Sequence, residues 1–317
     1  YYYRETRRMI YQRELPGVGG YPSTMDENGG KMQNKGWEIQ LGWQDKIGKD
    51  FSYGMTFSLA DVKNKITEWE GVIIGSNNVT KVGYPNQALY GLIAEGIAVP
   101  SDFEKYNPAT GKYENPKFPI LSGDAGLVQP GDIKYKDLDK SGSIDLDNDR
   151  AVVGSSIPRY TYSFKGDMSY KGIDFSFLIQ GVGKVDGYIY GPARHAFTDQ
   201  STYPQWFHAD RYQASNPNSN ASYPRFTYNQ SYNQRFSTFW VEDASYLRLK
   251  NIQVGYTLPI GLTKKIRIDK CRFYASADNL LTISDYFSSA DPERPIQAGG
   301  NYPQIKTFVF GVNITLH

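Results

Sequence analysis

The chain has 317 residues, with 35 Lys or Arg against 33 Asp or Glu and a single cysteine, Cys271. This charge balance argues neither for nor against a nucleic-acid partner, and the single cysteine excludes an internal disulfide and a cysteine-rich metal site. The 26 Tyr, 16 Phe and 5 Trp accompany a mean hydropathy of only −0.55. This combination is typical of transmembrane barrels, whose lipid-facing and lumen-facing side chains alternate and whose aromatic residues concentrate at the membrane interfaces.

Strict alternation of apolar and polar residues is the strongest local pattern in the sequence. It is clearest in residues 37–44, 51–60, 160–170 and 308–316, where every second residue except Gly166 is large and apolar and the others are mostly small or polar. Each run is about ten residues, the length that a tilted strand needs to cross a bilayer. No apolar stretch of about 18 residues is present, so we expect no transmembrane helix.

The same pattern, followed along the chain, predicts eight antiparallel strands. They lie near residues 1–12, 32–46, 51–68, 157–170, 173–189, 240–257, 270–286 and 304–317. In the sixth strand the alternation changes phase near Lys250-Asn251, which predicts a β-bulge there or a strand whose upper half stands above the membrane.

The predicted connections fall into two length classes. Short turns at 45–50, 171–172 and 259–269 alternate with long loops, of which about 69–157 and 190–238 are the longest. Short turns on one rim and long loops on the other are the pattern of outer-membrane barrels. The fold predicted is therefore all-β: an antiparallel transmembrane β-barrel segment with long extracellular loops, forming about the last eight strands of a larger barrel.

Two other architectures are compatible with parts of this pattern. A soluble sandwich also alternates, although its strands are usually five or six residues long; it would suit a secreted β-rich carbohydrate-binding protein with a calcium-stabilised loop. A small pore or adhesin could close with eight strands alone. The strand-like opening at Tyr1, without a signal peptide, instead favours a piece of a longer protein.

An Asp-rich segment has the spacing of a calcium-binding loop. Oxygen donors occupy its first, third, fifth and ninth places, Gly142 permits the sharp turn at the sixth, and Asp147 or Asp149 would complete the shell. The candidate ligands are Asp137, Asp139, Ser141, Ser143, Asp145 and Asp149. The alternative is an Asp- and Gly-rich surface turn without metal. A calcium ion here would be structural, and it is the only candidate cofactor.

Aromatic residues in the long loops are the candidate ligand contacts: Trp69, Tyr84, Tyr90, Trp206 and Phe207. Flat rings beside amide and carboxylate side chains suit sugars or peptides, whereas the alternative for each ring is packing within the loops. The sequence contains no Gly-rich phosphate loop, nucleophile elbow or catalytic constellation, so we expect no enzymatic activity and no catalytic residue.

Several ordered segments carry a resemblance to a known family. They are residues 31–36, 46–48, 131–137, 149–154, 158–164, 170–174, 180–183, 241–251, 255–259, 278–282, 302–304 and 308–313. Through these segments the chain resembles the SusC/RagA family of TonB-dependent outer-membrane transporters, over nearly its whole length. It departs from the family pattern in an Asp-rich loop that is one residue longer before Asp149, and in ending with His317 where a terminal Phe is usual.

The resemblance implies a twenty-two-strand barrel with an N-terminal plug, energised through the inner-membrane TonB complex. It also implies a SusD-like surface lipoprotein as partner and a glycan or oligopeptide as substrate. On this basis residues 1–317 would form the C-terminal part of the barrel, without the plug, in a bacterial outer membrane and in contact with membrane lipid. The loops 69–157 and 190–238 would line the substrate chamber or meet the lipoprotein.

Overall fold

The computed structural model describes residues 1–14, 24–124, 126–198, 203–228, 231–299, 301–302 and 304–316. Nineteen strands lie within these residues, numbered in chain order. The first eleven are Tyr2–Glu14 (β1), Thr24–Ile47 (β2), Phe51–Glu68 (β3), Ile73–Ile74 (β4), Asn78–Thr80 (β5), Ala88–Leu92 (β6), Ala94–Ile97 (β7), Phe103–Asn107 (β8), Lys112–Pro116 (β9), Ile133–Tyr135 (β10) and Arg150–Gly154 (β11). The other eight are Tyr160–Tyr170 (β12), Ile173–Gly183 (β13), Asp186–Ile189 (β14), Glu242–Asp243 (β15), Tyr246–Thr257 (β16), Ile268–Ile283 (β17), Ile296–Gln297 (β18) and Thr307–Leu316 (β19).

Within the described ranges, helical structure is limited to single turns. One α-helical turn spans Ile260–Thr263 (α1), and short 3-10 helices span Pro100–Asp102, Gly191–Ala193, Trp206–His208, Tyr232–Gln234 and Lys264–Ile266. Among the described residues, no helix has both the length and the apolar character needed to cross a bilayer.

The long strands form one antiparallel sheet in the order β1-β2-β3-β12-β13-β16-β17-β19. This is the predicted all-β, antiparallel architecture with eight principal strands. Within the described residues, β1 and β19 each pair with one neighbour only, so the sheet has two open edges and does not close on itself. A sheet of this kind in hydrocarbon would need further strands at both edges, because unpaired backbone N–H and C=O groups are very costly in lipid.

Local sequence explains the tight connections between these strands. Lys171 and Gly172 have φ values of 48° and 89°. Two consecutive residues with positive φ make the two-residue hairpin turn whose twist matches the strands, and Gly172 adopts this conformation without steric cost. The register shifts between Leu249 and Asn251 against β17 confirm the predicted bulge, centred on Lys250.

The prediction of one strand over 173–189 is wrong. The strand β13 ends at Gly183, Lys184 has a left-handed φ of 57°, and β14 leaves the sheet to pair with β15 and β18. Val185 and Ile189 are buried in a small cluster with Ala244 and Tyr286. Beyond Gly183 the chain no longer pairs with the large sheet. The burial of these apolar residues offsets the loss of that pairing.

The connections 69–159 and 184–245 fold together, and we call them the loop assembly. They contain short sheets (β11-β6-β5-β4, β10-β7 and β8-β9), which the sequence pattern did not predict. Their main hydrophobic core includes Leu92, Ala98, Phe103, Leu121, Val128, Ile133, Tyr135, Ile144, Tyr223, Tyr232 and Trp240. All of these core residues lie in the loop assembly, and none lies in a strand of the large sheet.

Candidate functional site: the two sheet faces and the loop assembly

One face of the large sheet is apolar and exposed. Register pairs Leu41 with Phe57 and Phe57 with Phe164, which places these side chains on the same face. Leu41 is 64% exposed and Phe310 is 80% exposed. Large exposed apolar patches are rare on water-soluble monomers. This face, which we call the apolar face, is therefore suited to contact hydrocarbon.

Aromatic side chains border the apolar face at both ends. At the end near the short turns, the Trp43 indole donates to the Tyr53 hydroxyl over 3.3 Å, and the Phe51 ring lies 6.4 Å from that of Tyr170. At the other end Tyr160 pairs with Asp61. From Tyr160 to Tyr170 the strand rises about 34 Å, or roughly 24 Å in height at a tilt of about 45°. This height matches the apolar band of about 25 Å between the girdles of a membrane barrel.

The opposite face, the polar face, carries hydrogen bonds and ion pairs between strands. Arg272 donates to Asp174 over 2.8 Å, and the Asn251 amide donates to Asp278 over 2.7 Å. The Ser52 and Ser169 hydroxyls lie 2.7 Å apart. A wall of charged and hydroxyl groups is suited to face water or polar protein groups.

The two long connections of the loop assembly are joined at Asp132. This carboxylate is almost fully buried and accepts hydrogen bonds from the Arg225 guanidinium at 2.7 and 2.9 Å and from the Asn233 amide at 2.7 Å. The Gln129 backbone N–H also donates to it over 2.8 Å. Since Arg225 and Asn233 belong to the second connection, this buried network fixes the first connection to the second.

A second joint is formed by Arg194. Its buried guanidinium pairs with Glu242 and lies 4.4, 5.2 and 5.4 Å from the ring centres of Phe287, Tyr223 and Trp240. Cations over aromatic faces are stabilised by the ring quadrupole, more strongly when water is excluded. Arg194 therefore ties the loop assembly to the connection between β17 and β19, which supplies Phe287.

Two histidines lie beside this joint. The His195 ring makes an edge contact with Trp240 at 4.5 Å. Burial, with smaller contributions from the positive charges of Arg194 and His208, lowers the pKa of His195 to about 3. The pKa of His208 is also lowered, chiefly by burial. Both rings are therefore neutral at physiological pH, and among the described residues neither belongs to a cluster of metal-ligating side chains.

The Asp-rich loop brings three of its predicted ligands together. Carboxylate oxygens of Asp137, Asp139 and Asp149 lie within 4.8 Å of one another, and Asp149 is fully buried. Asp149 accepts the Leu138 N–H over 2.6 Å and the Asp145 N–H over 2.8 Å, which curls the loop round it.

The other predicted ligands of this loop make local hydrogen bonds. The Ser141 hydroxyl donates to the Ser143 carbonyl, while hydrogen bonds from Ser141 lower the pKa of Asp139. Asp145 accepts N–H groups from the turn that follows, including that of Asn148, which lower its pKa. Lowered pKa values keep both carboxyls ionised, the state in which they are cation ligands.

The predicted ligand-contact residues occupy different environments. Trp206 is 68% exposed and Tyr84 is 40% exposed. Tyr90 lies under the Arg150 guanidinium at 5.0 Å, and Phe207 packs edge-on against Phe287 at 4.8 Å. Trp69 is half-buried against Gly30. Trp206 and Tyr84 therefore present free ring surface, whereas Tyr90 and Phe207 have internal partners.

Sequence reasoning missed the residues that hold the loop assembly together, Asp132, Arg225 and Arg194. They lie far apart in the sequence, 93 positions in the case of Asp132 and Arg225. Short apolar runs such as Ala88–Leu92 were the available sign that these connections contain buried strands.

The open antiparallel sheet, with its banded apolar face and its long folded loops, defines the class of protein: a segment of a large outer-membrane-type β-barrel. No family model matches the chain. The TonB-dependent receptors P3 and P26 of Formosa agariphila are 30% and 28% identical to it over 99% of its length. SusC of Bacteroides thetaiotaomicron, also a TonB-dependent receptor, is 23% identical over 99% of the chain. Over nearly its whole length the chain is therefore similar to TonB-dependent receptors that include SusC, which confirms the predicted resemblance.

Solved structures agree on the fold. The RagAB peptide importer in its "open-open" state superposes with a TM-score of 0.73 at 21% identity, covering 98% of this chain and 32% of that chain. The RagAB peptide transporter gives 0.71 at 22% identity, with the same coverage. The chain likewise spans about a third of the curated relatives, 32% of P3 and 29% of SusC.

Proposed function

We propose that this chain forms part of the barrel wall and the extracellular loops of a TonB-dependent importer in a bacterial outer membrane, and that its cargo is a glycan. The apolar face contacts membrane lipid, the polar face lines the interior, and the loop assembly stands outside the cell. The observation that carries the proposal is the exposed apolar band bordered by aromatic residues, in a chain related throughout to TonB-dependent receptors.

The loop assembly is the proposed place of substrate and partner contact. Exposed rings such as Trp206 and Tyr84 can stack on sugar faces, and the exposed Gln205 amide beside Trp206 can bond hydroxyls. Oligopeptides are the second candidate cargo, because rings beside amide groups also suit peptide chains. We propose a SusD-like surface lipoprotein as the partner on this side, and the TonB complex as the partner of a part of the protein outside this chain. No enzymatic step is assigned, since the relatives are receptors.

Deletion of the gene tests the proposed function. The deletion strain, and the strain complemented with the wild-type gene, are grown on a panel of purified polysaccharides and on a peptide hydrolysate, each as the sole nutrient. We expect slow growth of the deletion strain on one polysaccharide class, and loss of uptake but not of surface binding when a protonophore collapses the proton gradient. Equal growth of both strains on every nutrient would contradict the proposal, and a defect on the hydrolysate alone would favour oligopeptides.

We also propose that the Asp-rich loop holds a structural calcium ion. Asp137, Asp139 and Asp149 supply hard oxygen ligands, which calcium prefers, and Ser141, Ser143 and Asp145 are the further candidates. Three carboxylates held this close repel one another, and a cation would remove that repulsion.

The calcium proposal is tested by thermal unfolding of the intact protein. Calcium should raise the midpoint in the wild type, and the double variant Asp137→Asn, Asp139→Asn should lose that increase. Asp147→Asn changes an exposed carboxylate of the same loop that is not part of the Asp137, Asp139 and Asp149 cluster; it is the matched control and should keep the increase. A wild-type midpoint that does not respond to calcium would rule the site out.

A further inference from the structure

A row of lysines stands directly beyond the apolar band on the same face of the sheet. Register pairs Lys35 with Lys63 across β2 and β3, two positions beyond the pair Trp37 and Asp61. The next residue on this face of β3 is Lys65. All three lysines are exposed. We call Lys35, Lys63 and Lys65 the lysine row.

The direct pairing of two cations requires a physical explanation. Like charges directly opposite each other on one face of an antiparallel pair destabilise it. Neighbouring cations have acidic partners: Lys31 pairs with Glu68, and Arg159 pairs with Asp61. Within the part of the chain that the structure describes, no member of the lysine row has an ion pair, and Lys35 has only the Tyr3 ring, 5.4 Å away. The row therefore presents three exposed ammonium groups without an ion pair, beside one carboxylate, Asp61, which is already paired with Arg159 and also interacts with the charge of Lys63.

The position of the row fixes the kind of anion that it could meet. Two residues of strand add about 7 Å along the strand, or about 5 Å in height at a tilt of about 45°, beyond the level of Trp37 and Tyr160. That level ends the hydrocarbon-facing band, so the ammonium groups reach the layer of lipid headgroups beside the long-loop rim. Tyr3, which is half exposed, adds an aromatic surface next to Lys35. A free anion would contact only the ammonium groups. An anionic lipid would contact the ammonium groups with its headgroup and the adjoining apolar surface with its acyl chains.

We propose that the lysine row binds the phosphate groups of a phosphorylated glycolipid, of the lipid A type, in the outer leaflet of the membrane. The inference rests on the proposed outer-membrane location. Lysine ammonium groups bind phosphate as point charges, and juxtamembrane lysines attract anionic headgroups. The bound lipid would neutralise the Lys35–Lys63 pair and fix the level of the barrel in the bilayer.

The test measures lipid binding to the intact protein. Purified protein in nanodiscs of zwitterionic lipid is titrated with diphosphoryl lipid A, with its dephosphorylated counterpart and with inorganic phosphate, and binding is followed by native mass spectrometry. The triple variant K35Q/K63Q/K65Q is compared with K81Q/K112Q/K136Q, which removes three exposed lysines of the loop assembly. The single variant Lys63→Gln removes one of the two opposed positive charges. It keeps the inference testable if the triple variant does not fold.

We expect the wild type and the loop-assembly variant to bind diphosphoryl lipid A equally, and K35Q/K63Q/K65Q to bind it about 10-fold more weakly or worse. Lys63→Gln should show a smaller loss. Unchanged affinity in K35Q/K63Q/K65Q, equal binding of the dephosphorylated lipid, or displacement of lipid A by inorganic phosphate at similar concentration would each overturn the inference. Membrane fractionation keeps the two proposals apart: a wild-type protein absent from the outer membrane contradicts the proposed function, whereas correct location with unchanged lipid binding contradicts this inference alone.

Discussion

Apolar side chains are exposed on one face of the large sheet but buried in the loop assembly. In the sheet, Leu41 and Phe310 point outward and are mostly exposed; in the loop assembly, Ile133 and Tyr135 are completely buried. Both arrangements remove apolar surface from water if the sheet stands in hydrocarbon and the loop assembly in water. The exposed apolar face suits hydrocarbon and the loop assembly suits water, and on the proposed location the level of Tyr160 is the boundary between the two.

The largest effect is expected at the buried joint of the loop assembly. Asp132→Ala leaves Arg225 and Asn233 without their shared carboxylate, and breaking a buried ion pair costs about 3–5 kcal/mol. We expect fast hydrogen exchange throughout the loop assembly of the intact protein and normal protection in the large sheet. The control Asp147→Ala, at an exposed carboxylate, should change stability by no more than about 0.5 kcal/mol. An equal increase of hydrogen exchange in the large sheet would contradict the claim that the two regions are stabilised independently.

A substitution pair on β3 tests the two faces of the sheet. Phe57→Arg places a cation on the apolar face and should cost about 2–4 kcal/mol near mid-bilayer. Ser58→Arg places the same side chain on the polar face, next to Gln40 and Ser163, and should cost less. Denaturant unfolding in lipid vesicles measures both costs. Equal costs at the two positions would refute the facing assigned to the strand.

A pH effect is expected in the loop assembly. The pKa of His195 is lowered to about 3 in the folded protein, against about 6.5 in an unfolded chain. The unfolded state therefore binds the proton first as pH falls, and the stability present above about pH 6.5 is lost towards pH 3, by about 2 kcal/mol at pH 5. Hydrogen exchange around Trp240 at pH 7 and pH 5 measures this loss. In the variant His195→Gln the loss of stability between pH 7 and pH 5 should be smaller. An unchanged loss in this variant would show that other groups cause it.

The smallest effect on stability is expected at Trp206. Because this ring is mostly exposed, Trp206→Ala should change the unfolding free energy by no more than about 0.5 kcal/mol. Phe207→Ala removes a ring packed against Phe287 and should destabilise the loop assembly more. If Trp206 contacts cargo, Trp206→Ala should nevertheless slow uptake in the complemented strain. Uptake at the wild-type rate would remove Trp206 from the candidate contacts.

The long strands could be predicted from sequence because their pattern is local. Alternation in β3 and β12, the Lys171-Gly172 turn and the phase change at Lys250 each involve neighbouring residues, and the structure has all of them. The strand β13 ended earlier than predicted, since the burial of Val185 and Ile189 depends on residues distant in sequence.

The loop assembly could not be predicted in the same way. Its strands have two to five residues, too few to show a period, and its contacts are remote: the Tyr135 hydroxyl donates to the Tyr232 carbonyl, 97 positions away. For the same reason sequence alone could not separate the exposed Trp206 from the packed Phe207. The Asp-rich loop was accessible to sequence reasoning because its ligand spacing is local, although whether it holds calcium stays a prediction.

Spin-label accessibility along β3 can show whether the apolar face contacts lipid. Single cysteines are placed at each of residues 55–60 of the intact protein in bilayers, with Cys271 replaced by serine, and collisions with oxygen and with a water-soluble nickel complex are measured. We predict high oxygen access at the odd positions and high nickel access at the even positions. Nickel access at the odd positions equal to that at the even ones would contradict the account.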